Sequence, residues 1–200
     1  MTEAIIALTI AATMLLGSPG PATLSLAAVG ATFGVYKGVH YLAGILLGLI
    51  CAMTGAVFGV ATIFVQWPQA KLVIQVLGAI YLFYIAFKIA TAPVLMNGEY
   101  SNGEMPGFRD GFVLNLLNPK AYAAFFVLFS QFLLPFETTP AQYFAASLVI
   151  FAVAVVVDSI WLVIGSAIRS IFSHPRLARP TRILFGLSIV VATAWTLLKS

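Results

Sequence analysis

Two short stretches decide the reading of this chain: Gly17-Ser18-Pro19-Gly20-Pro21 and Asn115-Leu116-Leu117-Asn118-Pro119-Lys120. The first interrupts an apolar run that starts near Ala4. The second leads into the apolar run Ala121–Leu134. Proline lacks the amide hydrogen that an interior helix position needs, so each stretch predicts a broken helix. A bilayer gives a broken backbone no water to bind. Such breaks persist where protein or a polar cavity supplies partners, and a pair of them in corresponding halves of a hydrophobic chain points to a transporter's binding site.

The surrounding composition puts the chain in a membrane. Of its 200 residues 62% are hydrophobic and 8% are charged, and the mean hydropathy is +1.06. Soluble domains carry about 25% charged residues, so this chain cannot cover a water-facing exterior. The apolar runs are continuous rather than alternating, which argues against a transmembrane β-barrel. The N-terminus Met1-Thr2-Glu3 lacks the positive region of a signal peptide, so the first run is expected to stay as a membrane helix.

A span needs about 20 apolar residues, and the chain reads as six: about Ala4–Thr32, Val39–Val65, Leu72–Thr91, Gly111–Leu134, Ala141–Ile168 and Ile183–Leu198. The first and fourth carry the proline breaks. The polar stretch about 93–107 links two halves, about 1–92 and 108–200, within one domain. Three spans per half give the halves opposite orientations, so the expected architecture is an all-α inverted repeat.

Net charge is +4 and the pI about 9.4, but the basic residues sit between apolar runs, where they set topology rather than bind nucleic acid. With the N-terminus outside, Lys37, Lys88, Arg109, Lys120, Arg169, Arg176, Arg179 and Arg182 fall on or near the cytoplasmic side, and only Lys71 and Lys199 outside. Both termini are therefore expected outside. Trp67 and Trp161 are candidate interfacial anchors. Gly44, Gly48, Gly55 and Gly59 form a small-residue stripe suited to close helix packing, which also permits self-association. Cys51 is the only cysteine, so no intramolecular disulfide and no paired-thiol redox chemistry can occur.

The candidate site residues follow from the breaks. Ser18, Pro19, Gly20 and Pro21 free backbone groups. Half-helix N-termini favour a carboxylate, and freed carbonyls suit an ammonium or cation. Asn115 and Asn118 can donate and accept, and with Pro119 and Lys120 they build the second break. Lys120 could meet a carboxylate, pair with an acid or snorkel to the interface, and a structural role is the stronger choice. Asp158, deep in the fifth span, is costly in a membrane unless paired or protonated. A carboxyl group removed from water favours its neutral form, so Asp158 is the candidate for proton coupling. Tyr81, Tyr84, Tyr122 and Gln131 are weaker candidates, and His40 and His174 read as solvated loop residues. The spans hold one clear acid and no set of metal ligands, so no metal or cofactor is expected. No nucleophile and base are paired, so an enzyme is not expected either.

These residues resemble the LysE/RhtB-type family of bacterial amino-acid exporters. The likeness runs through Leu16-Gly17-Ser18-Pro19-Gly20-Pro21, Gly78-Ala79-Ile80-Tyr81-Leu82 with Tyr84 and Ala86, and Phe108-Arg109-Asp110-Gly111-Phe112 to Asn115-Leu116-Leu117-Asn118-Pro119-Lys120-Ala121. It continues in Phe125-Phe126, Ser130-Gln131-Phe132, Val157-Asp158 and Arg182-Ile183-Leu184-Phe185-Gly186. The resemblance covers nearly the whole chain in order. It implies a six-helix protein of the bacterial inner membrane that exports amino acids or related metabolites, driven by the proton gradient. One departure is Ile164-Gly165-Ser166, where homoserine and threonine exporters often carry a tyrosine beside the glycine. If that tyrosine selects substrate, those two amino acids are the weaker choices. Export of another metabolite or an inorganic ion is the alternative, and a passive pore differs from both in not needing the proton gradient.

Overall fold

The computed structural model describes residues 1–58 and 105–168, with single helical positions between 69 and 87 and between 180 and 191. Six helices lie in the two continuous parts: α1 Thr2–Gly17, α2 Pro21–Phe33, α3 Val35–Val57, α4 Phe108–Leu116, α5 Pro119–Gln131 and α6 Thr139–Ala167. The third and sixth expected spans lie outside the described residues, apart from those single positions. So do Trp67, Tyr81, His174 and most of the linker.

Both breaks are where the prolines put them. α1 and α2 meet at a bend of 65°, α4 and α5 at 58°. Pro21 and Pro119 each open the helix after the bend, where a missing amide hydrogen costs nothing. α3 and α6 are each long and apolar enough to cross a bilayer, and each bent pair meets the same test as one broken span.

α3 and α4 start four and three residues before the expected positions, for local reasons. α3 begins at Val35 because Gly34, at φ 84° and ψ 168°, turns the chain in a conformation open to glycine. The Gly34 amide closes α2 by donating to the Gly30 carbonyl at 2.8 Å, so a single residue separates the two helices. His40 therefore sits on α3, exposed, rather than in a loop. α4 begins at Phe108 because the Asp110 carboxylate accepts the Gly107 amide at 2.7 Å, satisfying a group the helix cannot.

Packing crosses between the two parts of the chain. α3 lies along α4, and α2 along α6, while α1 touches α5 and α6. Glycines set both main crossings. A Cβ at Gly44 would strike the Phe108 carbonyl, and one at Gly111 the Tyr41 carbonyl. A Cβ at Gly30 would strike the Leu162 carbonyl, and one at Gly165 the Ala27 carbonyl. The Gly44–Gly48 end of the glycine stripe is thus consumed inside the chain, against α4.

One apolar cluster joins Leu8, Ala12, Leu49, Phe125, Leu128 and Ile150 from α1, α3, α5 and α6. A second gathers Leu26, Val29, Tyr41, Ile45, Leu114 and Leu162 around α2 and α3. The outward faces are apolar too: Ile6, Ile10, Met14, Phe144, Val156 and Val163 are exposed. In water this would be an uncovered patch. In lipid it needs no cover. α6 turns Asp158 to the inside, with Ala154, Val157 and Leu162 buried on the same face.

Candidate functional site

The two broken helices meet. The Lys120 ammonium, on the first turn of α5, donates to the Ser18 carbonyl at 2.5 Å. Ser18 is the carbonyl that the Pro19–Pro21 break leaves without an intrahelical partner. The neighbouring freed carbonyl, Gly17, accepts the Trp161 indole N–H from α6 at 3.2 Å. Trp161, a candidate interfacial anchor by sequence, instead holds the break in α1. The second break is satisfied from its own side: the Tyr122 hydroxyl donates to the Leu116 carbonyl at 3.0 Å.

The amide ends are capped by short side chains. The Gly20 amide donates to the Thr23 hydroxyl at 2.9 Å, and that hydroxyl donates back to the Gly20 carbonyl at 3.1 Å. At the other break the Lys120 amide donates to Asn118 Oδ1 at 3.1 Å. The Asn118 amide group donates to Asn115 Oδ1 at 3.3 Å, and Asn115 in turn to the Ile45 carbonyl of α3 at 2.9 Å. Asn115 and Asn118 are buried at 1% and 4% exposure, so this chain fixes α5 to α3 at little freedom.

Between these elements lies a small cavity. Gly20, Thr23, Asn115, Asn118, Lys120 and Asp158 form its polar wall, and Leu16, Ala22, Leu49, Ala121 and Ala154 its apolar wall. Asp158 is 5% exposed and attracts Lys120 across this space. The N-termini of α2 and α5 both border it, and helix N-termini carry partial positive charge. The cavity has a volume of about 30 Å³, room for a water or two and not for an amino acid.

Of the residues read from sequence, Gly20, Asn115, Asn118, Lys120 and Asp158 line the cavity. Ser18 contributes its carbonyl through Lys120. Pro19 and Pro21 shape the break without lining the space; Pro19 is exposed and Pro21 buried. Pro119 opens α5. Tyr122 acts on the break rather than in the cavity, while Tyr84 and Gln131 are exposed. Sequence reasoning passed over Thr23 and gave Trp161 an interfacial role instead of this one. The signal for Thr23 was its place three residues after Gly20, where a hydroxyl reaches back to cap the helix start. No local signal announces Trp161, whose partner is 144 residues away.

Trp161→Phe keeps most of the ring's packing but strips the Gly17 carbonyl of its donor. An unsatisfied group of this kind costs about 1–3 kcal/mol. The expected result is a lower thermal midpoint in detergent, measured by size-exclusion after heating, and an unchanged midpoint would remove the indole from the support of the break.

The chain is 30% identical over 178 residues to the leucine efflux protein of Klebsiella pneumoniae, covering 86% of this chain and 84% of that one. It is 33% identical over 118 residues to the leucine efflux protein of an Enterobacter species, covering 56% of each. It is 31% identical over 140 residues to an uncharacterised membrane protein of Pseudomonas aeruginosa, covering 66% of this chain and 65% of that one. No solved structure matches the chain. Residues 13–199 match the LysE type translocator family, to which this chain belongs.

Proposed function

We propose that this protein is a secondary carrier of the bacterial inner membrane that exports amino acids with neutral aliphatic side chains, coupled to the proton gradient. The observation that carries this reading is the small cavity between two broken helices, lined by Asp158 and by the N-terminal ends of α2 and α5. An amino acid presents an ammonium and a carboxylate on one carbon. Asp158 suits the first and the helix N-termini suit the second. The apolar wall of Leu16, Leu49, Ala121 and Ala154 suits an aliphatic side chain, in keeping with the leucine efflux relatives.

The cavity is too small for such a substrate as it stands, so transport needs the two breaks to part. Alternating access supplies that motion: two three-helix halves, inverted with respect to each other, rock about the site. The exchanged packing supports this. The second span of the first half lies along the first of the second half, and the broken first span lies along the fifth. In this reading both termini face outside, and lipid covers the outward apolar faces. Export of an inorganic cation fits less well, because the single acid of the cavity faces a lysine ammonium.

Efflux of a panel of labelled amino acids from cells expressing the chain tests this directly. Leucine and its aliphatic analogues are expected to leave faster than from control cells, and to stop doing so when the proton gradient is collapsed. If no amino acid of the panel moves, the reading fails. If movement persists without the gradient, the chain is a passive pore.

A further inference from the structure

We propose that Lys120 is the counter-cation of the empty carrier, a tethered ammonium that holds the substrate ammonium's place against Asp158 and carries the coupled proton on the return leg. The inference rests on the export reading above and assigns its coupling to the Lys120–Asp158 pair rather than to Asp158 alone.

Three observations converge on it. Lys120 reaches across to the Ser18 carbonyl of the other break, 102 residues away. That carbonyl and Asp158 are the groups best suited to a substrate's ammonium. The path of the lysine is built: a Cβ at Gly20 would lie 2.9 Å from its Cδ and 3.0 Å from its Nζ, so glycine leaves the channel the side chain runs through. And among the described residues lining the cavity, Lys120 and Asp158 are the ones that titrate. The rest of the lining is Leu16 of α1, Gly20 before α2, Ala22 and Thr23 of α2, Leu49 of α3, Asn115 of α4, Asn118 and Ala121 at the start of α5 and Ala154 of α6, none of them an acid or base. Tyr122, two residues on, spends its hydroxyl on Leu116.

An ammonium has three donors, and Ser18 uses one. A second ammonium brought to the same acid would repel the first at such short range, where little water screens the charges. Substrate loading from inside therefore requires Lys120 to release a proton to that side and give up its place. Once the substrate leaves on the far side, the Lys120 amine takes a proton there and re-engages Ser18 and Asp158. The empty carrier then returns with its acid neutralised. One proton enters for each amino acid that leaves, and the site holds one cation beside Asp158 on both legs.

The test uses the purified protein in liposomes loaded with labelled leucine. Net efflux into leucine-free buffer needs the empty carrier to return. Exchange with external unlabelled leucine does not. In Lys120→Met the ratio of net efflux to exchange is expected to fall by about tenfold or more, because Asp158 must return without its cation. Gly20→Ala, whose methyl pushes the lysine aside while its extended backbone stays open to alanine, is expected to lower the same ratio. A native ratio in Lys120→Met overturns the proposal. If that variant loses both modes, Gly20→Ala decides: a lowered ratio supports the proposal, and a native ratio or loss of both modes overturns it. Should the unmodified protein move leucine in neither mode, it is the export reading that fails.

Discussion

Asp158→Asn is expected to reduce amino-acid efflux about a hundredfold or more, the size of an uncompensated buried charge of about 3–5 kcal/mol carried into the transport barrier. Asparagine matches aspartate in shape, so Ala154, Val157 and Leu162, buried on the same face of α6, keep their packing. What changes is charge. With the carboxylate gone, the Lys120 ammonium shares the cavity with two positive helix ends and no acid. The substrate's ammonium loses its partner as well. The substitution therefore raises the barrier for the empty and the loaded carrier alike, and it should act on initial rate at equal membrane abundance. The check is efflux of labelled leucine from cells whose variant and unmodified protein are matched by immunoblot. Equal rates at equal abundance would take Asp158 out of the mechanism.

The parts of this site that sequence could reveal are those whose physics is local. Proline cannot donate a backbone hydrogen bond, so the Pro19–Pro21 and Asn118-Pro119 breaks are legible wherever they occur, and they lie where the sequence puts them. A lone carboxylate in an apolar run is equally legible, and Asp158 is buried in the cavity wall. The helix starts were missed by a few residues because one glycine torsion at Gly34 and one carboxylate cap at Gly107 decide them. The partners of the freed carbonyls were out of reach. Lys120 could have met a substrate, an acid or the interface; that it takes Ser18 depends on how α5 sits against α1. Trp161 reads as an interfacial residue until the crossing of α6 over the first break brings its indole to Gly17. The glycine stripe on α3 was visible as a packing surface. Its use against α4 depended on Gly111, which carries no stripe of its own.

That same dependence on crossings makes Gly165→Val the other large effect, here on folding. A Cβ at position 165 would overlap the Ala27 carbonyl oxygen and lie 2.6 Å from its carbon and 2.7 Å from its Cα. Facing it, Gly30 leaves equal room for the Leu162 carbonyl. The obstacle in each case is backbone, which cannot rotate aside as a side chain can. Overpacking of a filled core costs about 1–3 kcal/mol and occasionally more, and a clash with a helix backbone belongs at the upper end. The helices must separate, and α2 carries Gly20 and Thr23 with it, away from Asn118 and Lys120. Gly165→Val is thus expected to lower folded yield and thermal midpoint sharply, with Gly165→Ala less severe. Gly107→Ala is the contrast, since a Cβ there meets only Asp110 Oδ2 at 4.0 Å. The midpoints of the three variants in detergent measure this order. Because the clash is with main chain, trimming Leu162 to alanine should not restore Gly165→Val, whereas a contact carried by side chains would be relieved. A Gly165→Val midpoint equal to that of Gly107→Ala would mean that α2 and α6 do not approach this closely, and the placement of the first break against Lys120 would fall with it.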